Sequence, residues 1–145
     1  MTPLLIAIFK GNNEVVNALL KKNGIVEAAF EYSELTKIVI PSFIKKVGNY
    51  AFFNCTKLTE VIFEGPSLLE EIGIGAFSGC ASLKIILIPE SVKVINKYAF
   101  SECYALESAI FQSPDIELRL HAFRHCPLLH ILAKDKVRFD DYYYE

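Results

Sequence analysis

The sequence predicts an α+β repeat solenoid, in which short coils stack on one another and share one continuous core. Three observations favour this fold. An Ala-Phe-x-x-Cys motif occurs four times, an apolar run follows each copy, and each unit is too short to bury an apolar face by itself. A different pattern at the N-terminus predicts a pair of helices ahead of the coils.

The cysteines mark the repeat. Their positions are separated by 25, 23 and 23 residues, and the Phe of each motif follows the same steps. A Leu stands three residues after each cysteine, within the runs LTEVIF, LKIILI, LESAIF and LLHILA. Upstream, AAFEYSEL repeats the pattern with Ser33 in the place of Cys, and Leu35 opens LTKIVI. We therefore expect five strand-like runs and five Ala-Phe turns between residue 25 and about residue 133.

Each coil also contains a second extended segment, seen as FIKKVG, LLEEIG, SVKVIN and IELRL. The segment ends at a position that we expect to need a positive φ, which Gly and Asn tolerate. The residues there are Gly48, Gly73, Asn96 and Arg119. The Ala-Phe segment that follows is expected to form a short helical turn, with Phe filling the core and Cys acting as a small inward residue. Two extra residues fall between residues 56 and 80, where Gly65-Pro66-Ser67 predicts a bulged loop.

The pattern L-x-x-[IV]-x-[IL]-P, followed by [VI]-G/N-x-Y-A-F-x-x-C, resembles the BspA-like leucine-rich repeat in about four full copies. The resemblance covers residues 25–133. It implies a right-handed solenoid with a parallel sheet on one face. It also implies a surface adhesion or protein-interaction module rather than an enzyme.

Residues 1–24 do not follow the coil pattern. Thr2-Pro3 predicts a helix start, Gly11 a helix end, and NNEVVNALLKKNG a second helix that ends before Gly24. Residues 2–24 resemble one ankyrin repeat, with Leu5 where that motif has His. We expect this pair to cap the open end of the coil stack, unless more ankyrin repeats precede it. The predicted organisation is a cap at 1–24, a solenoid at 25–133 and a tail or second cap at 134–145.

Composition excludes several classes of function. The net charge is −2 and there is no dense Lys/Arg run, so nucleic-acid binding is not expected. No apolar run reaches the length of a membrane helix. The N-terminus lacks the basic start of a signal peptide, which favours a cytoplasmic protein, or a cell-surface one if the chain is a fragment of an exported protein. No cofactor is predicted.

The cysteines and histidines are the candidates for reactive chemistry. Stacked coils would bring neighbouring cysteines close enough for disulfides, but their inward periodic sites favour buried free thiols. A straight ladder of thiols cannot surround a metal tetrahedrally. His121, His125 and His130 all lie in the last copy and are weaker metal-ligand candidates. We expect them instead at variable outward positions of the repeat.

The outward face of the predicted sheet is the candidate binding surface. Alternation along the strands assigns it two columns, and the second is apolar in every coil. The first column is Lys37, Glu60, Ile85, Ser108 and Ile131. The second column is Val39, Ile62, Leu87, Ile110 and Ala133. An apolar stripe is expected either because exposed strands favour β-branched residues or because a partner docks there.

The leading hypothesis is a non-enzymatic interaction module or scaffold that binds a protein of unknown identity on this face. The predicted contact residues are Val39, Glu60, Ile62, Ile85, Leu87 and Ile110. The same face could also pair two copies of the chain. The alternative is a cell-surface adhesin-type domain that binds a host protein or glycan, and a metal protein built on the histidines is a remote third class.

Overall fold

The computed structural model describes residues 27–133 and 136–139, and these residues form a β-solenoid of about four turns. Each coil contributes two strands, one on each flank of the solenoid. The first flank holds β1 (Lys37–Ile40), β3 (Glu60–Phe63), β5 (Ile85–Ile88), β7 (Ser108–Phe111) and β9 (His130–Ala133). The second flank holds β2 (Lys46–Val47), β4 (Glu71–Ile72), β6 (Val94–Ile95), β8 (Asp115–Leu118) and β10 (Lys136–Phe139).

All strand pairs are parallel, but the two flanks differ in continuity. The second flank is one sheet of five strands in the order β10-β8-β6-β4-β2. The first flank is divided into a two-stranded sheet, β1-β3, and a three-stranded sheet, β5-β7-β9. The solenoid is therefore interrupted on one flank only, between β3 and β5.

A column of stacked phenylalanine rings forms the centre of the core. Consecutive rings lie 4.9–5.2 Å apart between centroids, and their planes are within 7° of parallel. The column consists of Phe30, Phe52, Phe77, Phe100 and Phe123. The first four rings have no exposed surface, and Phe123 at the end of the column is 8 % exposed. The repeat predicted from the sequence is confirmed, including its first, cysteine-free copy at Phe30.

The turns around the Ala-Phe motifs differ from the prediction in two respects. They are hydrogen-bonded turns rather than helical ones, and no helix occurs among residues 27–133 and 136–139. The positive φ angles also lie elsewhere, with values from +53° to +77°. They occur at the residue before each Ala-Phe and at the residue before each Cys, or before Ser33 in the first copy. These residues are Ala28, Tyr32, Tyr50, Asn54, Gly75, Gly79, Tyr98, Glu102, His121 and His125.

Gly48, Gly73, Asn96 and Arg119 therefore do not supply the left-handed conformation that the sequence suggested. Gly73 is needed for space instead. A Cβ at this position would lie 2.7 Å from the backbone nitrogen of Asn49 and from the carbonyl oxygen of Val47. Each turn contains two left-handed residues, and a left-handed residue prevents a right-handed helix from continuing through it.

The register of the last strand, β9, is shifted by one residue from the predicted columns. Ser108 pairs with His130 and Ile110 pairs with Leu132, because Cys126 is four residues before β9 whereas Cys103 is five residues before β7. Ile131 therefore faces inward and packs against the core, and the prediction that it points outward is wrong. Leu132 takes the outward place that was assigned to Ala133.

The ankyrin-like pair predicted for residues 2–24 lies outside the described residues. At the other end, β10 falls within the predicted tail or cap and pairs with β8 in full register. No part of the described chain forms a helix long and apolar enough to cross a membrane.

Candidate functional site

The outward face of the first flank presents the predicted columns. Along β1 and β5, exposed and buried residues alternate strictly, so every second side chain points away from the core. The first column is Lys37, Glu60, Ile85, Ser108 and His130. The second column is Val39, Ile62, Leu87, Ile110 and Leu132. All six residues predicted to contact a partner lie on this face.

The second column is an apolar stripe with one member on each of the five strands of the first flank. Val39 is 42 % exposed, Ile62 36 % and Leu87 46 %, and Leu132 at the end of the column is 55 % exposed. Ile110 is half-buried. Each of these side chains leaves apolar surface in contact with water, so covering the stripe with a protein surface would be favourable.

The first column is mixed in character. Lys37 and Glu60 form an ion pair across β1 and β3, with 3.7 Å between Lys37 Nζ and Glu60 Oε2. Ile85 has no charged neighbour in its register pair and is 56 % exposed. The ion pair of this face therefore lies in the first two coils, and the apolar surface widens at β5.

A groove of about 570 Å³ lies between β3 and β5 on this face. Three side chains from the two columns, Ile62, Ile85 and Leu87, line its apolar part. The loop Gly65–Ser67 forms one wall, at the place where the sequence predicted a bulge. Lys84 and Glu90 line the groove just before and just after β5. Sequence reasoning located the loop but not the groove beside it.

The groove exists because β3 and β5 do not pair. In the neighbouring coils, the N–H of Thr59 donates to the carbonyl of Thr36, and the N–H of Glu107 donates to that of Lys84, both at 2.8 Å. The equivalent bond from Lys84 to the Thr59 carbonyl is absent in this part of the described chain.

At the carboxyl ends of β3 and β5, the hydrogen bond between the two coils is missing because the residue that would donate it has no N–H. The N–H of Glu64 reaches the carbonyl of Ile40, and the N–H of Gln112 reaches that of Ile88. Pro89 takes the corresponding place next to Phe63, and proline has no N–H. The break is therefore encoded by Pro89 together with the two extra residues in the preceding loop.

Hydrogen bonds hold the loop beside the groove. The N–H of Leu68 donates to the carbonyl of Ser42 at 2.9 Å, and the N–H of Leu69 donates to the Ser67 hydroxyl at 3.1 Å. Leu69 is fully buried and anchors the chain as it enters β4. The wall of the groove is thus fixed at its far end to both the preceding coil and the core.

The four cysteines are free thiols, and each donates to the carbonyl of a Phe in the preceding coil. The S···O distances are 3.1–3.3 Å. Burial raises the pKa of Cys55 and of Cys80. The interaction between the neighbouring Cys103 and Cys126 thiols raises the pKa of Cys103 and lowers that of Cys126. Three of the four thiols are thus buried and inert, and only Cys126 is partly exposed.

The three histidines occupy the outward positions expected from the repeat. His121 and His125 are the two left-handed residues of the last turn, and the His121 ring tilts against Tyr98 at 5.3 Å. His130 lies in β9. Among the described residues, no group of three His, Cys, Asp or Glu side chains comes together as a metal site would require.

Comparison with known proteins gives one family. A model described as "BspA type Leucine rich repeat region (6 copies)" matches residues 23–145. The comparisons show no ankyrin segment. No match was found among the curated proteins.

Solved structures of bacterial leucine-rich repeat proteins are similar to this chain. A leucine rich cell surface protein from Faecalibacterium prausnitzii is 27 % identical, with a TM-score of 0.65 over 80 % of this chain and 29 % of that one. The T. pallidum Leucine Rich Repeat protein is 28 % identical, with a TM-score of 0.63 over 79 % and 65 %.

The pneumococcal vaccine antigen PcpA shares the fold at 23 % identity, with a TM-score of 0.56 over 83 % of this chain and 35 % of its own. The chain therefore spans less than two thirds of the length of each of these three structures.

Proposed function

The chain belongs to the BspA-type leucine-rich repeat family, and from this premise we propose that it is a binding module that docks another protein on the outward face of its first flank. The family consists of binding repeats, and nothing in the comparisons points to catalysis. The observation that carries the proposal is the apolar column formed by Val39 and Ile62 on one sheet of the first flank and by Leu87 and Ile110 on the other. Its side chains leave apolar surface in water that a protein partner would cover.

A protein fits this face better than a glycan does. The two columns contain aliphatic side chains and few hydrogen-bonding ones, whereas a sugar ring loses hydrogen bonds to water on docking and needs partners to replace them. The outward side chains of β3, β5 and β7 supply only Glu60 and Ser108 for that purpose.

We propose a location at the cell surface and an adhesin-type role, in preference to the cytoplasmic location that the N-terminal sequence favoured. The relative from Faecalibacterium prausnitzii is described as a cell surface protein, which supports this choice.

The test compares two double variants. Val39→Glu with Ile110→Glu places two charges on the apolar column but outside the groove. Phe43→Glu with Leu128→Glu, the matched control, places two charges at exposed apolar side chains elsewhere. The immobilised chain captures partners from an extract of surface proteins, and mass spectrometry identifies them. Titration calorimetry with the purified partner then measures each affinity.

We expect the variant with charges on the column to bind at least about tenfold more weakly and the control to bind like the unmodified chain. Circular dichroism confirms that both variants are folded. Equal affinity of the two variants would contradict the proposal. If sedimentation shows a dimer that only the column variant dissociates, the protein that docks on this face is a second copy.

A further inference from the structure

Cys103 and Cys126 occupy the same place in two neighbouring turns at one end of the described stack. Immediately before them, the N–H of Glu102 donates to the carbonyl of Arg124 at 2.7 Å, so the two turns pair through their backbones. Backbones paired in this way lie about 4.8 Å apart. This spacing falls within the range of about 4.4–6.8 Å that a disulfide accepts between its Cα atoms.

The interaction between these two thiols sets the pair apart from the other cysteines. It is the largest influence on both of them, and it raises the pKa of Cys103 and lowers that of Cys126. For Cys55 and Cys80, the largest influence is burial, which raises the pKa of each thiol. The Cys103 thiol therefore lies beside the Cys126 sulfur, and it favours the ionised form of that neighbour.

Solvent reaches one member of the pair. Cys103 has no exposed surface, whereas Cys126 is partly exposed and lines an open cavity of about 360 Å³. Tyr104 and Pro127 line the same cavity. A small reagent can therefore approach the Cys126 sulfur from solvent, while Cys103 is shielded from everything except its neighbour.

We propose that Cys126 is the site at which this protein is oxidised, and that the product is a disulfide with Cys103. The bridge ties the last described turn covalently to the turn before it. The oxidant is a peroxide, which is small enough to enter the cavity. The inference is independent of docking on the first flank, because neither cysteine belongs to the two columns of that face.

The reaction takes two steps. The Cys126 thiolate attacks hydrogen peroxide, so that an S–O bond forms, the O–O bond breaks and hydroxide leaves. The Cys103 thiol gives its proton to hydroxide and attacks the Cys126 sulfur, so that the S–S bond forms, the S–O bond breaks and a second hydroxide leaves. That hydroxide takes up the proton that Cys126 lost on ionisation. In total, two thiols and one peroxide give one disulfide and two waters.

The last turn has room for the small movement that the bridge requires. A disulfide holds its Cβ atoms about 3.8 Å apart, roughly 1 Å closer than stacked coils are spaced. Leu129, three residues after Cys126, is only partly buried, whereas Leu106, at the same place one coil earlier, has no exposed surface. The turn that carries Cys126 is therefore packed less tightly than the turn that carries Cys103, and it is the one that moves.

The test begins with the unmodified protein. The reduced protein is treated with a small molar excess of hydrogen peroxide, then unfolded and alkylated with iodoacetamide. Because the chain has four cysteines, the oxidised protein should take up two alkyl groups instead of four, and peptide mapping should find the bridge between Cys103 and Cys126. Dithiothreitol should restore all four sites. The midpoint of thermal unfolding should be higher after oxidation, by roughly 5 °C.

Three alanine variants separate the roles of the cysteines. In Cys103→Ala, oxidation should stop at the sulfenic acid of Cys126, and dimedone should label the folded protein at least about tenfold more than it labels the unmodified chain. Cys126→Ala should give neither the bridge nor the label. Cys80→Ala, the matched control one coil earlier, should form the bridge as the unmodified chain does. Circular dichroism confirms that each variant is folded.

Three results would overturn the inference. The first is an unmodified protein that still takes up four alkyl groups after oxidation. The second is a bridge that maps to another pair of cysteines or joins two chains, and the third is a folded Cys103→Ala variant that dimedone labels no more than the unmodified chain. If a variant does not fold, the mapping of the unmodified protein decides.

Discussion

The Sγ atom of Cys80 lies 3.3 Å from the carbonyl oxygen of Phe52 and donates its S–H to it across adjacent coils. The same contact links Cys103 to Phe77 at 3.2 Å and Cys126 to Phe100 at 3.1 Å. An alanine would fill a similar place in the core without offering a donor. The repeated Cys therefore ties each turn to the carbonyl of the turn before it, while it remains a small, mostly apolar residue.

This arrangement predicts a loss of stability at alkaline pH. Burial raises the pKa of Cys80 above its ordinary value of 9.0, so the folded protein keeps the thiol neutral at a pH where the unfolded chain has ionised it. The stabilisation is fully present below pH 9 and declines as pH rises further, by about 1.4 kcal/mol per pH unit for one such thiol. Urea unfolding of the reduced protein between about pH 9 and pH 11 measures the slope.

The control for this prediction is Cys80→Ala. The variant should be less stable at pH 7, but its stability should fall less steeply with pH, by about 1.4 kcal/mol per unit, because one shifted thiol is gone. All other ionisable groups are the same in both proteins, so the difference between the two slopes isolates the Cys80 thiol. Identical slopes would mean that the Cys80 thiol ionises as readily in the folded as in the unfolded state.

The phenylalanine column predicts that substitutions cost more in its middle than at its end. Phe77 stacks on Phe52 and Phe100 at 5.0 and 5.2 Å, whereas Phe123 stacks on one ring of the column and retains some exposure. Phe77→Ala should lower the free energy of unfolding by about 3–5 kcal/mol, and Phe123→Ala by less. Phe77→Leu, which leaves a smaller cavity, keeps the comparison measurable if the alanine variant does not fold.

Urea titration of these variants checks the order. Phe43→Ala serves as the control, because this ring is 39 % exposed and does not belong to the column. Its cost should be below that of every column variant. A Phe123→Ala variant as unstable as Phe77→Ala would show that the stacked rings do not reinforce one another along the column.

The left-handed turn positions predict a stabilising substitution. Glu102 has a φ of +57° and an exposed side chain, and a residue with a Cβ pays roughly 1–2 kcal/mol to adopt this conformation. Glu102→Gly should therefore raise the free energy of unfolding, by up to about 1 kcal/mol after the added freedom of the unfolded chain is deducted. Thermal unfolding is the measurement.

Lys97→Gly is the matched control for this substitution. Lys97 is also an exposed turn residue, but its φ is not positive, so glycine there should destabilise by about 0.5–1 kcal/mol. Opposite signs for the two glycine variants would support the assignment of strain. A loss of stability in both variants would mean that the positive φ of Glu102 does not destabilise the folded protein.

The break between β3 and β5 predicts a local difference in hydrogen exchange. The amide of Ser108 donates to the Lys84 carbonyl at 3.2 Å, but the equivalent amide of Ile85 has no bond to Thr59. Ile85 should therefore exchange at least about a hundredfold faster than Ser108, although both lie at the same place in their strands. NMR exchange rates at neutral pH give the ratio directly.

A repaired variant provides the control for the exchange measurement. Deleting Gly65 and Pro66 gives this coil the 23-residue length of its neighbours, and Pro89→Val restores the missing donor. The Ile85 amide should then be protected like that of Ser108. If Ile85 is already protected in the unmodified chain, β3 and β5 pair in solution and the groove is closed.

The periodic part of this fold was predictable because it depends on which side chains are buried. Stacked coils place equivalent residues in the same environment, so Phe and Cys recur at fixed steps, and Ser33 could be identified as a degenerate copy from Phe30 and Leu35 alone. The outward residues follow from the same alternation. Every predicted contact residue in β1, β3, β5 and β7 lies on the expected face for this reason.

The parts that sequence reasoning missed depend on backbone geometry. Tyr98 and Glu102 are not residue types that favour a positive φ, so the sequence does not predict one there. The conformation is imposed by the stacking of each turn on its neighbours. The one-residue shift before β9 left Ile131 and Leu132 equally apolar, so the pattern alone could not decide which of them points inward. One residue in the sequence, Pro89, indicates the groove, because it lacks the N–H that would pair with the edge of β3.

The interruption of one flank also governs how the molecule would bear mechanical load. Tension along the axis of the stack is carried on the second flank by an unbroken series of backbone bonds from β2 to β10. On the first flank, the series stops at Gly65-Pro66-Ser67, so the coils on either side of that loop would part there first. Under tension, β3 and β5 would separate while β4 and β6 stay paired and act as a hinge. The two strands would come together again when the tension is released.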